Sequence, residues 1–240
     1  MQATAEYRRT ARADMNKRNP GLLFAVVSML LACSNDAPPP PVEDDKTPVT
    51  SVFNCPTDNG ELTFTVRTMG EKLAAWLPRQ FGRPYLVLER ARSASGSRYE
   101  ADEVMVWLHG NEAMLEVDGN TFKSCTRDAY ASVWEHAKLG GVDFRATGNE
   151  PGWVLEISNG TSLRLDYDYG QSLIETRADE PVNDAAARQT IYKAESDGRT
   201  VTVRISVERC TDSMSGFEFE STVIVNVDDR ELRGCGRPLH

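Results

Sequence analysis

Three dipeptides, Asp118-Gly119, Asn159-Gly160 and Asp197-Gly198, each separate two short runs in which apolar and polar residues alternate. Such pairs accept the positive φ angles of a tight hairpin, and a period of two turns one face of each strand towards a core. Leu62-Thr63-Phe64-Thr65-Val66-Arg67 shows the pattern. It is clearest where Val201, Val203, Ile205 and Val207 face one way and Thr202, Arg204, Ser206 and Glu208 the other. Further strands are expected over 73–77, 85–90, 104–108, 113–117, 121–125, 153–157, 162–167, 218–227 and 231–234. Helices are expected only over 130–136 and, for a turn or two, around 183–188. The sequence has no strand–helix–strand rhythm and no Gly-rich phosphate loop, which argues against a nucleotide-binding α/β fold.

The cysteines organise these strands. Apart from Cys33, discussed below, the chain holds Cys55, Cys125, Cys210 and Cys235. Four cysteines allow three pairings. Cys55 with Cys125 and Cys210 with Cys235 is the expected one, because each bridge then closes within one compositional block. Loop-closure entropy gives about 4 kcal/mol for the first and about 3–4 kcal/mol for the second. No Cys-x-x-Cys occurs, so neither a zinc site nor thiol-redox chemistry is expected, and no metal or cofactor is called for. The fold class is therefore all-β. A small antiparallel barrel over 51–128, a meander closing on itself, is followed by a second β-rich module over 129–240, each with one disulfide. The junction is placed at 126–139, where alternation stops.

Residues 1–32 read as a signal peptide. Lys17 and Arg18 precede an apolar run over 22–32 that is long enough for an h-region and too short to span a bilayer. Met15-Asn16-Lys17-Arg18 makes a compact n-region, whereas Glu6 and Asp14 lie in a polar lead, so translation is expected to start at Met15. Leu30-Leu31-Ala32-Cys33 resembles the lipobox of bacterial lipoproteins, in which the cysteine becomes the acylated N-terminus. Ser34 after it favours the outer membrane, by resemblance to enterobacterial sorting rules. Residues 33–50 would form an acidic tether whose consecutive prolines keep it extended, at roughly 3.1 Å per residue.

The whole chain carries a net charge of −9; without residues 1–32 it has 22 basic and 34 acidic side chains, a net of −12. That balance excludes nucleic acid, which needs a basic footprint, and permits a basic protein partner. Three histidines with neither His-Glu-x-x-His nor Gly-x-Ser-x-Gly give no support to an enzyme.

Two polar, glycine-bearing segments lie between the barrel strands: Ser93-Ala94-Ser95-Gly96-Ser97-Arg98-Tyr99 and His109-Gly110-Asn111-Glu112-Ala113. They are expected as neighbouring loops on one rim, fixed by the scaffold with their side chains left free. Together with Phe53-Asn54-Cys55, Trp107 and Phe122-Lys123-Ser124-Cys125, they make the stretch 52–125 resemble the membrane-bound c-type lysozyme inhibitor family. The resemblance covers about a third of the chain. It implies a small antiparallel barrel in the envelope of a Gram-negative bacterium, lipid-anchored and facing the periplasm, with c-type lysozyme as its protein partner.

By the same resemblance Ser95 is the inhibitory serine, and Gly96, Ser97, Arg98, Tyr99 and His109 complete the lysozyme-binding set. A lysozyme cleft works with one protonated and one ionised carboxyl group. A hydroxyl between them can donate to the carboxylate and accept from the acid. Gly96, with the small Ala94 and Ser97, keeps the finger narrow. Tyr99 is expected to prop the loop from behind, and Arg98 is either a rim charge or a packing residue. Where the family carries a lysine, this chain has His109, whose reference pKa of ~6.5 leaves it mostly neutral at pH 7. Weaker inhibition, or inhibition that strengthens towards pH 6, follows; a strand-end histidine exposed by chance is the plainer alternative.

The second module, through 144–153, 210–216 and 234–236, resembles an uncharacterised bacterial envelope-protein family. Residues 148–152 read as a turn and 212–216 as a capped loop tied down by Cys210. Glu150, Trp153 and Asp212 are candidates for a ligand site, against roles in turn and core. Asp166 and Asp168 read as one face of a strand. The competing function is a non-inhibitory envelope lipoprotein that binds peptidoglycan, glycan or another envelope protein.

Overall fold

The computed structural model describes residues 47–240. The expected signal peptide, the Met15 start, Cys33 and the proline run lie outside the described residues.

Eight strands form a closed barrel in chain order. They are β1 (Val49–Thr57), β2 (Gly60–Met69), β3 (Lys72–Trp76), β4 (Tyr85–Ala91), β5 (Ser97–Ala101), β6 (Val104–His109), β7 (Glu112–Val117) and β8 (Asn120–Asp128). Every neighbouring pair is antiparallel, and the seam closes where Val52, Phe53 and Asn54 face Asp128, Arg127 and Thr126. Alternation explains the packing: Phe64 and Val66 of β2 point inwards with Phe53, Leu73, Leu88 and Leu115, all essentially without solvent contact. Closure leaves no strand edge to pair with another chain. Cys55 and Cys125 are bonded just beside the seam.

All three hairpin dipeptides have positive φ at both residues, as inferred. The segment 93–99 departs from the expectation of one loop. Only residues 92–96 turn, and Ser97 already opens β5. Tyr99 is the one large side chain that β5 sends into the core, so the strand carries little period-two signal.

Helix α1 (Ala129–Leu139) follows β8 directly. Asp128 caps it by accepting from the Ala131 amide at 2.8 Å. The Ser132 hydroxyl donates to the Asp128 carbonyl and accepts from the Val52 amide at 2.9 Å, which ties the helix to β1. Thr50 and Val52, on the outer face of β1, are thereby buried. On its other side Trp134 packs with Val142, Phe219 and Leu239 and lies against the guanidinium groups of Arg237 (4.8 Å) and Arg145 (5.5 Å).

The rest of the chain is a second curved sheet with its own core. Its strands are β9 (Val142–Asn149), β10 (Gly152–Ser158), β11 (Ser162–Tyr167), β12 (Ser172–Arg177), β13 (Val182–Asp184), β14 (Gln189–Ser196), β15 (Arg199–Ser206), β18 (Ser221–Val227) and β19 (Arg230–Pro238), with a small ribbon of β16 (Cys210–Thr211) and β17 (Glu218–Phe219) beside it. The order β12-β11-β10-β9-β19-β18-β15-β14-β13 returns the last strand to the first, Cys235 facing Thr147. The free edge of β12 bends towards β14, where the Thr176 hydroxyl donates to the Glu195 carbonyl at 3.0 Å. Leu155, Ile157, Leu165, Val203, Val225 and Leu232 fill the interior. Cys210 is bonded to Cys235, so one disulfide lies in each β-region, as expected.

Three local expectations are corrected. The segment around 183–188 is not a helix: Asp184 accepts from the Ala187 amide and caps a single turn, which ends at Arg188 in the left-handed region and joins β13 to β14. One capped turn does not repay the cost of helix nucleation when both flanks can pair as strands. The expected strand over 218–227 breaks at Glu220, because β17 pairs with β16 while β18 pairs with β15 and β19. Asp168 lies beyond the end of β11 with φ 56° and pairs with Arg230, so it does not share a strand face with Asp166.

Candidate functional site

The Ser95 turn rests on the end of β6. At Gly96, where φ is +66°, a Cβ would stand 2.4 Å from the Leu108 carbonyl oxygen and 3.0 Å from Trp107 Nε1. Glycine is therefore required twice, for its backbone angle and for the space. Trp107 Nε1 donates to the Ser95 carbonyl at 2.9 Å, and the Ser93 hydroxyl donates to the same oxygen. The backbone of Ser95 is thus tied from two sides, while its own hydroxyl has no partner among the described residues and faces solvent.

The β6–β7 hairpin brings the second segment alongside. His109 faces Glu112 across it, Gly110 makes the turn at φ 60°, and the Arg127 amide donates to the Asn111 carbonyl at 2.9 Å. The ring of His109 lies 6.5 Å from that of Trp107 and close to Gly96. The two segments read from the sequence as neighbours do meet.

Two concavities flank this meeting point. One, of about 320 Å³, is lined by Ser95, His109, Glu112, Lys123 and Ser124; the other, of about 380 Å³, by Arg92, Ser95, Arg98, Met105 and Glu116. Ser95, Trp107 and Met114 line both, so they form a ridge between two hollows.

The remaining residues of the expected set take different places. Tyr99 is 3% exposed in the barrel core, opposite Val106. Arg98 faces Trp107 and pairs with Glu100 on its own strand. Ser97 sits on β5 opposite Leu108. The hydrogen bond from Trp107, and the presence of Lys123 and Arg92 beside the ridge, escaped the sequence reading. The strand register that delivers Trp107 follows only once β5 is recognised.

The geometry makes Gly96→Ala a sharp probe. The added methyl cannot lie 2.4 Å from a carbonyl oxygen, so the turn must lift and stretch the bond from Trp107 to Ser95. Expected are a normal β-sheet circular dichroism spectrum, a loss of stability of about 1–3 kcal/mol, and a changed Trp107 environment in fluorescence. An unaltered spectrum and an unaltered melting curve would mean that the turn does not rest on β6.

In the second region two of the three candidates, Asp212 and Trp153, prove to be internally committed. Asp212 Oδ1 accepts from the amides of Met214 (3.1 Å) and Ser215 (2.7 Å) and from the Ser215 hydroxyl, and Oδ2 accepts from Asn149 at 2.9 Å. Burial pushes this carboxyl up, but the bonds from Ser215, Asn149 and Met214 outweigh it and hold it below the ordinary aspartate value. Trp153 is 3% exposed and donates to the Arg233 carbonyl at 3.2 Å. Glu150 occupies the turn between β9 and β10 and lines a shallow hollow with Asn149 and Asp212. Residues 212–216 form the capped loop inferred from sequence.

Among the described residues no group of three or more His, Cys, Asp or Glu side chains is placed to hold a metal ion, and no helix is long and apolar enough to cross a membrane. Neither the curated proteins nor the solved structures compared with this chain gave a match. Residues 46–123, which run from just before β1 into β8 and carry both segments of the ridge, match the model of the family described as membrane-bound lysozyme-inhibitor of c-type lysozyme.

Proposed function

We propose that the protein inhibits c-type lysozyme by inserting the Ser95 ridge into the catalytic cleft, with His109 engaging the cleft beside it. The observation that carries this reading is the contrast at Ser95: a backbone held by Trp107 and Ser93, and an exposed hydroxyl with no partner among the described residues. A preorganised tip loses little conformational freedom on docking. Its hydroxyl can bridge an ionised and a protonated carboxyl group, filling the place of the sugar without offering a glycosidic bond. Arg98 is a rim residue held by Glu100, and Tyr99 supports the turn from within the barrel. The family match over 46–123 supports lysozyme inhibition in general.

The same family description, membrane-bound, supports a place in the cell envelope of a Gram-negative bacterium. There Cys33 would carry the acyl chains, residues 33–50 would space the barrel from the outer membrane, and the barrel would face the periplasm. Several acyl chains together anchor stably where one does not.

The test is a turbidity assay of c-type lysozyme on cell walls with the purified protein added. Suppressed lysis is expected; lysis unchanged at high molar excess overturns inhibition and leaves an envelope-binding protein. His109→Lys probes the second contact: the lysine reaches further and offers more donors, so the variant should inhibit at least about threefold more tightly than the wild type. Equal inhibition constants would remove this position from the mechanism.

A further inference from the structure

Each hollow beside the Ser95 ridge contains one permanently cationic side chain that forms no ion pair among the described residues: Lys123 on one flank, Arg92 on the other. Arg98, the other cation near the ridge, is engaged by Glu100. Lys123 owes its position to an irregularity in β8. Between Ala113–Cys125 and Leu115–Phe122 the register slips, and Ser124 adopts φ 57°, which admits an extra residue and re-aims the side chains beside it. Arg92 sits at the first position after β4, where the chain leaves the barrel to form the turn. Two separate backbone departures thus place a cation on either side of one exposed hydroxyl.

We propose that Arg92 and Lys123 are specificity-determining residues that engage carboxylates on the two opposing walls of the cleft that receives Ser95. The inference rests on the reading of Ser95 as the tip that enters. A cleft that accepts a ridge sets one of its walls over each flanking hollow, so the side chains in those hollows read the walls. The protein as a whole is acidic, and its long-range field draws a basic partner. Two cations at the point of contact oppose that field. They favour only a partner whose general surface is basic and whose cleft is acidic, and they reject basic surfaces that lack such a cleft. Glu112 and Glu116, one in each hollow, keep either cation from attracting anions indiscriminately.

The experiment measures inhibition constants against c-type lysozyme for wild type, Arg92→Gln, Lys123→Gln, the double variant, and the charge-conserving Arg92→Lys and Lys123→Arg, at low and high salt. Each neutral variant should inhibit about five- to tenfold more weakly at low salt, with the two losses multiplying in the double variant. Both losses should shrink at high salt, and the charge-conserving variants should stay within about twofold of wild type. Ser95→Trp runs alongside as the control for the ridge. If the neutral variants match wild type while Ser95→Trp loses inhibition, the flanking cations are merely solvated and this proposal falls while the ridge reading stands. Equal losses in the neutral and charge-conserving variants also overturn it, since packing rather than charge would then be at work. No inhibition by the wild type removes both.

Discussion

Ser95→Trp is expected to leave the barrel as stable as before and to weaken lysozyme inhibition by at least about a hundredfold, which corresponds to about 2.7 kcal/mol. The first half follows from position. Ser95 is exposed, its hydroxyl has no hydrogen-bond partner among the described residues, and the bonds that order the turn run through its carbonyl oxygen. Surface changes of that kind typically stay within about 0.5 kcal/mol. The second half follows from shape: an indole replaces a hydroxymethyl at the tip of a ridge that must enter a cleft. Ser95→Ala separates the two contributions of this side chain. It keeps the finger narrow and removes only the hydroxyl, so it should cost about 1–2 kcal/mol, or roughly five- to thirtyfold. A tryptophan variant that inhibits as well as wild type, with an unchanged circular dichroism spectrum, would mean that this turn never enters the cleft.

How far such a site can be read from sequence depends on what positions each residue. Ser95 and His109 were legible because both lie in polar, glycine-bearing segments between alternating runs; that they share a rim depends on β5, since alternate turns of a meander, not consecutive ones, lie on the same side. Tyr99 was expected behind the loop as an aromatic residue at its end, and it is buried in the barrel core. Trp107 was not, because its role is a hydrogen bond to a backbone carbonyl twelve residues earlier. That contact depends on the register of β5 against β6, and β5 offers only Tyr99 as an apolar signal. Lys123 was beyond reach for another reason: it faces the ridge through a register slip, and nothing in Phe122-Lys123-Ser124-Cys125 announces an extra residue. The helix expected at 183–188 shows the converse error. Asp184 is a good N-cap and the three alanines after it are good helix formers, and together they make one turn, but the strands on either side set the outcome.

Removing the Cys55–Cys125 bridge, as Cys55→Ala/Cys125→Ala, is expected to destabilise the protein by about 4 kcal/mol and to lower Tm by about 10 °C. The bridge spans 70 residues, so its loss returns a large loop entropy to the unfolded chain. Its place in the barrel adds to the effect. Closure between β1 and β8 rests on three register pairs, from Val52 to Asn54, against nine between β1 and β2. The covalent link beside that seam helps to keep it shut, and an opened seam exposes two strand edges to other chains. Removal of Cys210–Cys235, which spans 25 residues, should cost less, about 3 kcal/mol. Inhibition offers a check on where the damage falls. The ridge is built on β4 to β7 and hangs on Trp107, so the double variant, assayed well below its Tm, should inhibit within about threefold of wild type. A Tm that moves by less than about 3 °C would show that the seam holds without its bridge, and a lost inhibition at low temperature would show that the ridge depends on the seam after all.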